Sequence, residues 1–175
     1  MRNDYRTILL LHDKRFFHLF GRDDFTGRCL TPAETDFLRG HTVPTYVQGW
    51  DEEIWEHARA HKDGYILKHH CLGKSEQVYA GCVTEQETWE GLFASGAVEN
   101  MILQPFMRQR IFPTVWQGKP LLDYVSGTIL TVDDRYFGTG LFRTSTRPVI
   151  NQTDAHKIAP LVTDQAFAFD RPHIL

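Results

Sequence analysis

The spacing of apolar residues changes along this chain and separates a mixed front from an all-strand back. Phe16, Leu19 and Phe20 recur at helical spacing and predict a helix over residues 13–20, entered from the apolar run 7–11. Thr31, Pro32 and Glu34 supply an N-cap, a proline at N1 and an acid at N3. They predict a helix to Arg39 that stops at Gly40. Residues 41–49 contain Pro44 and should be extended. Residues 50–61 predict a further helix, with Ile54 and Ala58 on one face beside Trp50 or Trp55. Tyr65, Ile66 and Leu67 form a β-prone run ending on Lys68. Residues 72–76 predict a turn in which Gly73 is free to take positive φ, and residues 77–83 are β-prone again. Thr84 and Glu87 have capping-box spacing and predict a helix to about Ala94 that carries Trp89, Leu92 and Phe93 inward, with Gly96 ending it. Residues 101–107 predict a short buried strand broken at Pro105, a residue that favours an edge or a bulge.

From Ile111 onward the pattern is all strand. Runs 112–116, 121–132 and 136–146, divided by turns at 117–120 and 133–135, predict an antiparallel meander. Residues 152–159 read as a polar loop or short helix, and the last ten residues as a poorly ordered tail. The expected fold class is α/β (α+β), with helices and a small hairpin lobe packed on a largely antiparallel sheet. Three stretches follow: a helical segment 1–62, a hairpin, helix and hinge strand 63–107, and a sheet with its tail 108–175.

Length suits one domain, or two small lobes around a cleft, at 175 residues. A net charge of −3 gives no broad basic field and speaks against nonspecific nucleic-acid binding. No apolar run approaches the roughly 18–20 residues needed to span a membrane, and the first residues lack the apolar core of a signal peptide. Three widely spaced cysteines, Cys29, Cys71 and Cys82, suggest a reducing, cytoplasmic setting.

Candidate chemistry centres on Lys68. A lysine at the end of an apolar strand, facing a loop with Gly73 and Lys74, can hold a polyphosphate through an ammonium and backbone N–H groups. The same residues also fit a surface hairpin with solvated lysines. Full P-loop spacing is absent, because no glycine stands five residues before Gly73. His69, His70, Cys71 and Cys82 invite a zinc reading. Adjacent strand residues point to opposite faces, however, so His69 and His70 are not expected to share an ion. Arg143 fits either an anion site or a cross-strand pair with an acid such as Asp123. The four tryptophans, Trp50, Trp55, Trp89 and Trp116, read as packing.

Four stretches in order resemble the ATP-grasp family, in its circularly permuted, glutathionylspermidine synthase-like branch. His12-Asp13-Lys14-Arg15 looks like the helix with the first ATP lysine. Tyr65-Ile66-Leu67-Lys68 with Gly73-Lys74 looks like the second lysine strand and phosphate-covering loop. Met101 to Phe106 looks like the strand and hinge facing adenine. Gly138 to Ser145 with Pro148-Val149-Ile150-Asn151 looks like the family's late strand and asparagine stretch. The resemblance implies ATP held by Lys14, Lys68, Gly73, Lys74, Gln104, Pro105, Phe106 and Asn151. It assigns Arg143 the catalytic role of holding an acyl phosphate or the γ-phosphate. The implied reaction joins a small-molecule or peptide carboxylate to an amine at the expense of ATP, with Mg2+.

The sequence departs from the family at the metal. Val149 stands two residues before Asn151, where ordinary members carry a glutamate, and permuted members place their acids on a segment before the two lysines. Asp123, Asp133 and Asp134 are the acids of the late sheet, so the magnesium ligands stay unassigned. The chain thus resembles the C-terminal half of a permuted ATP-grasp protein, with a homodimer or a partner chain as the source of the other half. Alternative readings are a non-catalytic binding module that lacks the metal cluster, and an unrelated α+β domain with surface lysines.

Overall fold

The computed structural model describes residues 5–132, 135–150 and 156–158. The chain is mixed α+β and builds two four-stranded antiparallel sheets. Helix α1, Tyr5–His12, leads into a 3-10 helix, Lys14–Gly21, where the periodicity predicted an α-helix. Asp13 caps that 3-10 helix, its carboxylate accepting from the Arg15 N–H at 3.0 Å. Helix α2, Asp23–Thr26, is one turn, and α3 runs Pro32–His41. The predicted capping box forms in α3. Thr31 Oγ1 accepts from the Glu34 N–H, and the Glu34 carboxylate accepts from the Thr31 N–H. Gly40 does not stop the helix, which ends two residues beyond Arg39.

Strand β1, Tyr46–Val47, and helix α4, Glu52–Ala60, precede the hairpin of β2, Tyr65–His69, and β3, Val78–Ala80. Helix α5, Gln86–Ala94, returns the chain to β4, Met101–Pro105. The sheet order is β1-β4-β2-β3, so the hairpin belongs to a full sheet rather than to a separate small lobe. Pro105 ends a strand that lies between β1 and β2, not at an edge. Helix α5 starts without the predicted capping box. The 3-10 turn Gly81–Val83 sets Thr84 one turn beyond Ala80, and its hydroxyl donates to the Ala80 carbonyl instead.

Period-two alternation assigns the two faces of this first sheet. Leu67 and Leu103 pair across β2 and β4, and with Met101 they pack against Trp55, Ala58, Trp89 and Val98. That is the main core, under α4 and α5. Ile66, Lys68, Ile102 and Gln104 lie on the opposite face.

The second sheet has the order β5-β6-β7-β8, from β5, Ile111–Trp116, β6, Lys119–Val132, β7, Arg135–Ser145, and β8, His156–Ile158. The predicted meander forms. Its first turn is shorter than expected: Gln117 and Gly118 have φ of 50° and 76°, so two residues with positive φ close the hairpin, and Lys119 and Pro120 already belong to β6. A strand, β8, occupies part of the segment expected as loop or helix. Asp133, Asp134 and the terminal tail lie outside the described residues.

Candidate functional site

Strand β3, at the edge of the first sheet, and β6 of the second border a common cavity. The cavity, a cleft of about 570 Å³, is lined by Val78 and Ala80 of β3, Ser75 and Thr84 beside it, Tyr124 of β6 and Arg147 beyond β7. Lys68 pairs with Val78 in the β2–β3 register, so its side chain leaves the same face as one wall of this cleft. On the other side, Tyr124 pairs with Ser145 and Ser126 with Arg143. Arg143 therefore shares a face of the second sheet with Tyr124, one pleat period away. Its register partner is Ser126 rather than Asp123.

Lys68 is held on its face by a short polar relay. Its ammonium donates to Gln104 Oε1 at 2.8 Å, and Gln104 Nε2 donates to Thr45 Oγ1 at 2.8 Å. Gln104 is only 8% exposed. Burial lowers the Lys68 pKa from its ordinary 10.5, and the positive charge of Lys14 lowers it further. A buried ammonium without an anion carries a desolvation cost that an incoming anion would relieve.

Lys14 has a different surrounding. Its ammonium donates to the carbonyls of His69, His70 and Leu72 at 3.0, 3.4 and 2.6 Å, and its backbone N–H donates to the His70 carbonyl at 2.9 Å. An ammonium has three donors, so Lys14 is a clamp on the end of β2. Burial lowers its pKa as well.

The loop between β2 and β3 departs from expectation. Gly73 is not in the left-handed region; Lys74, Ser75 and Gln77 are, with φ of 54°, 61° and 49°. A Cβ at Gly73 would meet nothing, so this stretch has open space beside it. Ser75 Oγ donates to the Ile150 carbonyl at 3.0 Å, which ties the loop to the segment leaving β7.

The expected adenine hinge splits. Gln104 joins the Lys68 relay. Pro105 lines another cavity, with Tyr65 and His57, and the Phe106 N–H is spent on the Gly64 carbonyl at 2.8 Å. Asn151 lies outside the described residues. Asp123 is buried and accepts from Thr114 Oγ1 at 2.7 Å; β6 alternation puts it on the face opposite Tyr124. The described residues that line the cleft include no carboxylate, so they do not form a magnesium site.

In comparisons with known proteins, no family model matched the chain and no curated protein matched it.

One constellation escaped the sequence reading, and a second takes in Asp13, which the zinc reading of His70 and Cys71 did not include. A cavity of about 440 Å³ is lined by His18, Arg22, Trp50 and Asp51, and the Arg22 guanidinium lies 4.4 Å from the centre of the Trp50 ring. Trp50 is 63% exposed, not packing. The second is Asp13, His70 and Cys71, whose ligand-type atoms lie within 4.8 Å of one another. The strand ends at His69, so the rule of opposite faces lapses there. The His69 and His70 rings stack at 4.9 Å with 13° between their planes. Among the described residues, no helix is long and apolar enough to cross a membrane.

Proposed function

We propose that the chain is the ATP-binding part of an ATP-grasp carboxylate–amine ligase, with the polyphosphate held in the cleft between the two sheets. The observation that carries this reading is Lys68. It is a half-buried ammonium on an inner strand, on the same face as Val78 of the cavity lining, and among the described residues it donates to a neutral amide oxygen. The cleft volume falls in the range of small-molecule sites, and Val78, Ala80 and Tyr124 give it apolar walls for a base. In this reading Lys68 neutralises phosphate oxygens, and Lys14 positions the loop after β2 by holding its carbonyls. The open backbone at Gly73 and Lys74 covers the phosphates. Arg143 offers a planar fork of donors from the facing sheet.

The chemistry is a transfer followed by a substitution. A carboxylate oxygen bonds the γ-phosphorus as the bond to the β,γ-bridging oxygen breaks, giving an acyl phosphate and ADP. An amine nitrogen then attacks the carbonyl carbon, phosphate leaves, and the nitrogen loses a proton. Arg143 would stabilise charge on the acyl phosphate.

A second reading, a nucleotide-binding module without ligase activity, is favoured by one observation: the described cleft lining brings no carboxylate. Calorimetric titration with ATP, with and without magnesium, tests both. The ligase reading expects micromolar or tighter binding that strengthens with magnesium and is lost in Lys68→Ala. Binding indifferent to magnesium would select the module. No heat and no thermal shift at millimolar ATP would overturn both.

A further inference from the structure

We propose that Asp13, His70 and Cys71, none of which lines the inter-sheet cavity, form a binding site for a divalent transition metal of the zinc type. Cys71 Sγ lies 2.8 Å from His70 Nδ1, and Asp13 Oδ1 lies 3.3 Å from the same nitrogen. Both groups thus converge on one ring nitrogen, which carries at most one proton. That proton serves one partner at a time. A cation at the shared point would engage all three.

The three ligand atoms lie within 4.8 Å of one another, and two of the three pairs can be set against a tetrahedral ion. Zinc bond lengths to nitrogen, oxygen and sulfur put ligand atoms roughly 3.3–3.6 Å apart. The Asp13–His70 pair already stands at 3.3 Å, and the Cys71–His70 pair needs to open by about 0.7 Å from 2.8 Å. One carboxylate and one thiolate balance a double charge. A mixed oxygen, nitrogen and sulfur set selects zinc, cobalt or a similar ion over magnesium or calcium, which take oxygen ligands. Each of the three side chains is half-buried.

The surroundings hold this set in place. Arg15 grips Asp13 through Nη2 at 2.6 Å and Nε at 3.1 Å, an outer contact of the kind that orients ligating carboxylates. The loop bearing His70 and Cys71 is pinned from one side by the Lys14 ammonium on the His69, His70 and Leu72 carbonyls. From the other side, His69 Nδ1 accepts from the Cys71 N–H at 3.1 Å and the Leu72 N–H at 3.3 Å. A bound ion would fasten the start of the 3-10 helix to the end of β2.

The test is titration of the full chain with Co2+ and, separately, Zn2+, followed by absorption and calorimetry. The site predicts one equivalent of cobalt with a thiolate-to-cobalt charge-transfer band. It also predicts one zinc per chain and a higher melting temperature with zinc. Cys71→Ser should abolish the band, His70→Ala should weaken zinc about 100-fold or more, and Asp13→Asn should weaken it about tenfold or more. Cys29→Ser and Cys82→Ser should retain both signals. Far-ultraviolet circular dichroism establishes that each variant folds. A missing band, a band that survives Cys71→Ser, or zinc affinity unchanged in His70→Ala would overturn the site.

Discussion

The two sheets have the same number of strands and very different surroundings. The first is closed on one face by α4 and α5, and its strand β4 reads as buried along most of its length. The second carries large apolar side chains out in the open: Leu122 is 67% exposed, Ile129 72% and Phe137 75%. Similar alternation thus yields a sealed core in one sheet and bare apolar surface in the other. What separates them is the helices: the chain that joins β1 to β2 and β3 to β4 folds into helices that return to the sheet, whereas the meander's two-residue first turn brings no covering element. The first sheet therefore holds Lys68 against a packed core, and the second keeps large apolar side chains exposed.

The largest expected contrast is between Trp89→Ala and Ile129→Ala. Trp89 is fully buried in the helix-covered core, and its truncation should cost about 3–5 kcal/mol. Ile129 faces solvent, and its truncation should stay within about 0.5 kcal/mol. Chemical denaturation measures both, and equal losses would erase the distinction between the sheets.

Glycines sharpen the comparison within the covered half. At Gly81 an added Cβ would collide with the Lys62 backbone carbonyl, so Gly81→Ala should destabilise by about 1–3 kcal/mol. At Gly91, on α5, a Cβ meets nothing, and Gly91→Ala should stabilise by about 0.5–1 kcal/mol. Thermal melts that move in the same direction would contradict the packing described for these two positions.

Lys68 links the covered sheet to the cleft. Lys68→Met removes a desolvated charge but leaves Gln104 Oε1 without its donor, so stability should change by no more than about 1 kcal/mol. Lys68→Met with Gln104→Leu removes both groups and should exceed the wild type by about 1 kcal/mol. Denaturation with a double-mutant cycle checks this coupling.

The smallest effect is at an exposed cap far from the sheets. The Thr31 N–H and hydroxyl hold the Glu34 carboxyl below its ordinary 4.5. The folded value is depressed, so the stabilisation is present above pH 4.5 and fades as pH falls through the lowered value. Glu34→Gln should flatten that acid limb of the melting profile.

Much of the fold was readable where one local rule decided the outcome. The Thr31–Glu34 box, the apolar run at β4 and the turn at Gln117 and Gly118 each depend on a few adjacent residues. The sequence misled where two local options competed. Thr84 had a carbonyl within reach and back-bonded to Ala80, and positive φ fell on Lys74, Ser75 and Gln77 rather than on Gly73. Within the site, Lys68 and Gln104 were visible because alternation in two apolar runs sends both to one face. The clamp made by Lys14 spans 55 residues or more, and the cluster of Asp13 with His70 and Cys71 depends on where β2 ends. No short window of sequence contains either.

Amide chemical-shift mapping with ATP bears most directly on the inter-sheet cleft. The account predicts shifts that cluster at Lys74, Ser75, Val78, Ala80, Tyr124 and Thr146 and vanish in Lys68→Met. Shifts centred on His18, Arg22 and Trp50, or none at millimolar ATP, would contradict it.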